Sequence, residues 1–71
     1  MNFFAEYIVK NERYGEIERR CEVAGCSDVV TAEKLTREMA SDYGEVVKLV
    51  RRGFTKLDSD KEGVFYDITI N

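Results

Sequence analysis

The sequence has no histidine, no proline and no tryptophan, and only two cysteines and five glycines among its 71 residues. Without histidine there is no imidazole to titrate near neutral pH, so Ser–His and Cys–His couples are ruled out. The two cysteines, Cys21 and Cys26, are spaced C-x4-C. That is neither the C-x-x-C of redox exchange nor the four soft ligands of a structural zinc site. Cys21 is expected as a small buried hydrophobe and Cys26 as a loop thiol. No glycine-rich loop is present to cradle a phosphate. These absences together predict no catalytic residues, no cofactor, no metal and no enzyme. The lack of proline and of any Ser/Gly-rich linker leaves residues 1–71 to be read as a single small domain. No apolar run is long enough to cross a bilayer, and MNFFAEYIVK lacks the basic start of a signal peptide. The expectation is a cytoplasmic chain with free thiols and no membrane partner.

Against these absences, 44% of the residues are hydrophobic, with four Phe and four Tyr, and the formal charge of −3 comes from 14 acidic and 11 basic residues. This composition supports a folded core and not a disordered acidic tail. FFAEYIV, Phe3 to Val9, reads as a strand with Phe3, Ala5, Tyr7 and Val9 on one side and Phe4 and Ile8 on the other. KNERYG reads as a hairpin connection, and EIERRCEVA as the returning strand, its Ile17, Cys21 and Val23, with Arg19, alternating with Glu16, Glu18, Arg20 and Glu22. After a loop, GCSDVV, a helix is predicted from an N-cap at Thr31, with Val30 stapled to Leu35 and Glu33 at the positive end of the dipole. Ala32, Leu35, Met39 and Tyr43 form its apolar stripe, Glu33 and Arg37 pair on its solvent side, and Gly44 stops it.

EVVKLVRRGFTKL, residues 45–57, fits either a helix or a strand. Its valines favour a strand, and a bulge near Arg52–Gly53 would reconcile its two apolar parities. VFYDITI is the cleanest strand pattern in the chain. The expected fold is therefore α+β: a four-stranded, mostly antiparallel sheet with one helix packed on one face, in the order β-β-α-β-β. DSDKEG, Asp58 to Gly63, matches the start of a calcium loop, but the bidentate position falls on Thr69. It reads as a turn between strands.

One helix leaves the other sheet face free to meet something. Ten residues are the candidates for such contact: Phe4, Ile8, Tyr14, Arg19, Lys48, Arg51, Arg52, Phe54, Lys56 and Phe65. The expected function is a non-catalytic protein-binding module, a small regulator or inhibitor of the kind phage and mobile elements encode, covering a surface of a host or cellular protein. Two alternatives stand beside it. One is a nucleic-acid binder that uses Lys48, Arg51, Arg52 and Lys56 with aromatic rings under the bases. The other is a structural homodimer closed through the free face.

Overall fold

The computed structural model describes the backbone of residues 2–25, 28–57 and 65–69 and the side chains of 2–25 and 28–55. Cys26 and the DSDKEG segment lie outside the described residues, and so do the side chains of Lys56 and Phe65. In chain order the elements are β1 (Asn2–Asn11), β2 (Gly15–Ala24), α1 (Val29–Ser41), β3 (Glu45–Leu57) and β4 (Phe65–Thr69).

The expected four-stranded layer needs correction. The sheet on which the helix packs is three-stranded and antiparallel, ordered β2-β1-β3. β4 is a five-residue segment paired with Gly53–Leu57, the far end of β3. Among the described residues it contacts β3 and no other element, whereas α1 contacts β1, β2 and β3.

β1 is central, and its aromatic and β-branched residues suit a strand covered on both sides. Phe3, Phe4, Ala5, Tyr7 and Val9 are fully buried. Phe3, Ala5, Tyr7 and Val9 face α1, where they form the core with Cys21, Ala32 and Ala40. The rings of Phe3 and Phe54, directly opposite in register, meet edge to face at 5.6 Å.

The ambiguous residues 45–57 form a strand, and the phase change falls elsewhere than Arg52–Gly53. Against β1, Arg51 stands opposite Glu6, Leu49 opposite Tyr7, Lys48 opposite Ile8 and Val46 opposite Val9. Val50 and Val47 are thus the two extra residues, each at a register shift. Both are exposed, at 45% and 52%. Two shifts explain why neither parity of the sequence reads cleanly.

The helix also begins earlier than expected. Asp28, not Thr31, is the N-cap: its Oδ1 accepts from the Val30 amide at 3.2 Å, and Ala32 N closes the first turn on Asp28 O at 2.9 Å. The Thr31 hydroxyl donates to the Asp28 carboxylate instead. Val30, placed in the first turn, is 78% exposed and makes no staple on Leu35. Glu33 falls outside the first turn, which holds no acidic residue.

The buried line of α1 is Ala32, Thr36 and Ala40, while Leu35, Met39 and Tyr43 are 41–42% exposed. Small side chains let the helix lie close to the sheet. Leu35 and Met39 each sit one residue before a buried position, about 100° around the helix. Tyr7 crosses the gap: its hydroxyl lies 2.8 Å from Thr36 Oγ1 and 3.1 Å from Glu33 O, and Thr36 Oγ1 donates to Glu33 O at 2.9 Å. Burial raises the Tyr7 pKa, and the Thr36 hydrogen bond works against that rise.

The return from α1 to β3 runs beside the first hairpin, where Asn11 Nδ2 donates to Tyr43 O at 2.7 Å. Gly44 has φ of +145°, and a Cβ there would stand 2.1 Å from the Lys10 carbonyl oxygen. Backbone blocks that space, so no rotamer change makes room. Gly44→Ala is expected to cost about 2 kcal/mol or more, read as a lower urea midpoint with an unchanged slope. A midpoint within error of the parent would contradict the close approach.

The Asp28 carboxyl is held below the usual carboxylate range, first by the Thr31 hydrogen bond, which outweighs desolvation, with the backbone amides of Val30 and Thr31 adding to it. A lowered folded pKa adds stability above the ordinary aspartate value, and that stability is lost as pH falls through the folded value. Thermal unfolding followed from about pH 5 to pH 2 should therefore show a steeper acid loss for the parent than for Asp28→Asn.

Candidate functional site

The face of the sheet away from α1 is not the apolar surface the alternation suggests. Glu6 lies opposite Arg20 on one side and Arg51 on the other, so three charged side chains form a row across three strands. Arg51 Nε donates to both Glu6 oxygens, at 2.8 and 3.0 Å, and Arg20 Nη1 donates to Oε1 at 3.4 Å. Arg20 Nε continues the row to Glu22 at 3.2 Å. The two guanidinium groups stand over the Phe4 ring, 4.1 Å from its centroid for Arg20 and 5.4 Å for Arg51. Phe4 is 0% exposed. Arginine stems and cation–π contact seal the ring, and Glu6 holds them there.

The helix side carries a second ion pair, in which Arg52 Nη1 donates to Glu33 Oε2. This is the partner Glu33 takes in place of Arg37, which lies over the Tyr7 ring at 5.8 Å from its centroid. Arg19 stacks over Tyr43 at 3.9 Å, and its Nε is buried with no hydrogen-bond partner.

The ten expected contact residues are therefore scattered. Phe4 is buried, Arg51 closes the open face over it, and Arg52 and Phe54 belong to the helix side. Arg19 packs on Tyr43. Ile8 is half-buried between Glu18 and Lys48, with Lys48 exposed. Tyr14, 70% exposed, sits in the β1–β2 turn beneath Arg13. Lys56 and Phe65 lie outside the described side chains.

An open apolar surface lies along the rim of β2. A groove of about 510 Å³ runs between β2 and the C-terminal half of α1, floored by Val23, Leu35 and Met39 and rimmed by Glu22, Glu38 and Asp42. Glu22 and Val23 are adjacent and point to opposite faces, so a groove lined by both opens at the strand's edge. β2 is the outermost strand on that side: it pairs with β1 and, among the described residues, with nothing else. The sequence reading missed this groove because it placed Leu35 and Met39 on the sheet. The available signal was the i, i+4, i+8 run of small residues Ala32, Thr36 and Ala40, which marks the true packing face.

Among the described residues no three of Cys, Asp and Glu gather to hold a metal ion. Cys21 is 5% exposed, and burial raises its thiol pKa, so little thiolate is present near neutral pH. No helix among the described residues is long and apolar enough to cross a membrane. The chain matches no family model, no curated protein and no solved structure.

Removing the central carboxylate tests the seal. Glu6→Gln leaves two arginines facing each other across β1. Because their side chains are 32% and 42% exposed, the cost should be about 1–2 kcal/mol, below that of breaking a fully buried pair. Glu22→Gln, at the exposed end of the row, should cost no more than about 0.5 kcal/mol. Equal effects of the two substitutions in urea unfolding would contradict the arrangement.

Proposed function

We propose that the chain is a non-catalytic protein-binding module, a small regulator or inhibitor that acts by covering part of another protein. The observation that carries this reading is the open groove of Val23, Leu35 and Met39 beside the edge of β2, which is unpaired among the described residues. An exposed apolar strip next to free backbone donors and acceptors is a liability in a chain that meets nothing, and a recognition surface in one that does. The nucleic-acid reading finds less support. Arg51 and Arg52 point to opposite faces, and each is engaged by a carboxylate, Glu6 and Glu33 respectively. Of the rings that would stack under bases, Phe54 packs against the helix-side core and Tyr14 lies in the β1–β2 turn, while the Phe65 side chain lies outside the described residues.

Affinity capture from a lysate of the producing cell, at about 0.15 M salt where exposed charge is screened beyond about 8 Å, tests the proposal. It should recover a specific protein at near-stoichiometric yield. Recovery of nothing specific, together with submicromolar nucleic-acid binding that weakens steeply with salt, would replace this reading with the nucleic-acid one.

A further inference from the structure

Resting on the reading of a protein-binding module, we infer that the partner supplies an extended segment of alternating apolar and basic residues, which adds to β2 as a new edge strand. Three independent features of the β2 rim converge on this occupant.

The first is the backbone. β2 runs for ten residues, Gly15–Ala24, with no register shift against β1 and, among the described residues, no strand on its outer side. In an antiparallel ladder every second residue turns its amide and carbonyl outward, so the rim presents a regular row of donors and acceptors. β-strand addition uses such a row, with pockets for alternate side chains providing the selectivity.

The second feature is the alternation of surface on the two sides of that rim. On the helix side an added strand would lie along Ile17, Arg19, Cys21 and Val23, with Arg19 stacked on Tyr43, and reach the groove floored by Leu35 and Met39. Apolar side chains of one parity fit there. On the other side it would lie along Glu16, Glu18, Arg20 and Glu22. Arg20 is committed to Glu6 and Glu22, which leaves Glu16 and Glu18, both exposed, to face the newcomer. Cross-strand pairing of opposite charge is favourable and of like charge unfavourable, so residues of the second parity should be Lys or Arg.

The third feature is the end of the helix. The groove lies against the last two turns of α1, where the negative end of the helix dipole is found. A helix normally carries basic side chains there. This one has no basic residue in its last turn and places Glu38 and Asp42 on the groove rim instead. Two carboxylates at the negative pole, with no basic residue lining the groove, form a standing negative potential that a cation from outside would relieve.

A second copy of the chain fits less well, because its own β2 brings Glu16, Glu18 and Glu22 to the rim. A nucleic acid is repelled by the same charges.

The probe is an end-capped peptide of four Lys-Val repeats, titrated into the full-length protein and followed by amide NMR, beside a Glu-Val peptide of the same length. Saturable shifts confined to Gly15–Ala24 and to Leu35–Ser41 of α1 with the following Asp42, with the Glu-Val peptide at least about tenfold weaker, are expected. Glu16→Lys/Glu18→Lys should reverse the preference between the two peptides, and Met39→Glu should weaken both. Each variant is first checked for a parental amide spectrum away from the rim. Equal binding of the two peptides, shifts centred on the open face, or no shifts at millimolar peptide would overturn the inference. So would a dimer in sedimentation whose β2 amides are already protected without peptide, since a second copy then holds the edge. Lysate capture with parent and charge-reversed bait separates this inference from the reading beneath it. A captured protein displaced by the Lys-Val peptide and lost with the charge-reversed bait supports both. A protein captured equally by both baits overturns the edge-strand inference and leaves the binding-module reading standing. No capture, with no peptide binding, defeats both.

Discussion

The carboxylate of Glu6, held between the guanidinium groups of Arg20 and Arg51, is what allows a single sheet with a single helix to be closed on both sides. One helix can cover only one face of three strands, and the core on that face is built from Phe3, Tyr7 and their neighbours. Phe4 necessarily points the other way. It would be a large exposed ring at the centre of the central strand if the arginines did not lie over it. An apolar cover would seal Phe4 equally well, but it would present a flat hydrophobic sheet to every other molecule. The charged cover keeps that face wet and unattractive, and it fixes the register of both neighbouring strands by placing opposite charges directly across from one another.

The flank of α1 carries exposed apolar surface of its own. Tight packing of Ala32, Thr36 and Ala40 against the sheet rolls Leu35 and Met39 outward toward β2. The two edges of the three-stranded sheet then differ. Along β3 the ladder is interrupted at Val50 and Val47, and its far end is paired with β4. Along β2 the strand is regular and unpaired among the described residues. Bulges and short partners discourage strand addition, so the β2 rim is the more receptive of the two. That asymmetry is the physical basis for assigning the binding function to the rim.

Local patterns made several elements legible from sequence. The alternation in FFAEYIV and EIERRCEVA lies within the hairpin, and the valines of residues 45–57 favoured the strand that forms there. The features that were not legible depend on distances between segments. The fourth strand failed as part of the helix-covered layer because pattern shows that a stretch can be a strand, not how far along its neighbour it pairs. Thr31 looked like the helix cap because its hydroxyl can accept from an amide, yet Asp28, three residues earlier, takes the amide and the Thr31 hydroxyl together. The cover over Phe4 needs Arg20 and Arg51 to flank Glu6, and those residues are 14 and 45 positions away from it in the chain. The open-face candidates followed from treating alternation as exposure. That holds for short polar side chains and fails where arginines fold down over their neighbours.

The seal over Phe4 can be observed directly from the side-chain proton shifts of Arg20 and Arg51 by NMR. Protons held over the face of an aromatic ring move upfield. Those of Arg20, with its guanidinium carbon 4.1 Å from the ring centroid, should move further than those of Arg51, and both displacements should vanish in Phe4→Leu. Arginine shifts at their random-coil positions in the parent, with a Phe4 ring accessible to a soluble paramagnetic probe, would contradict the closed face and everything assigned to the opposite rim because of it.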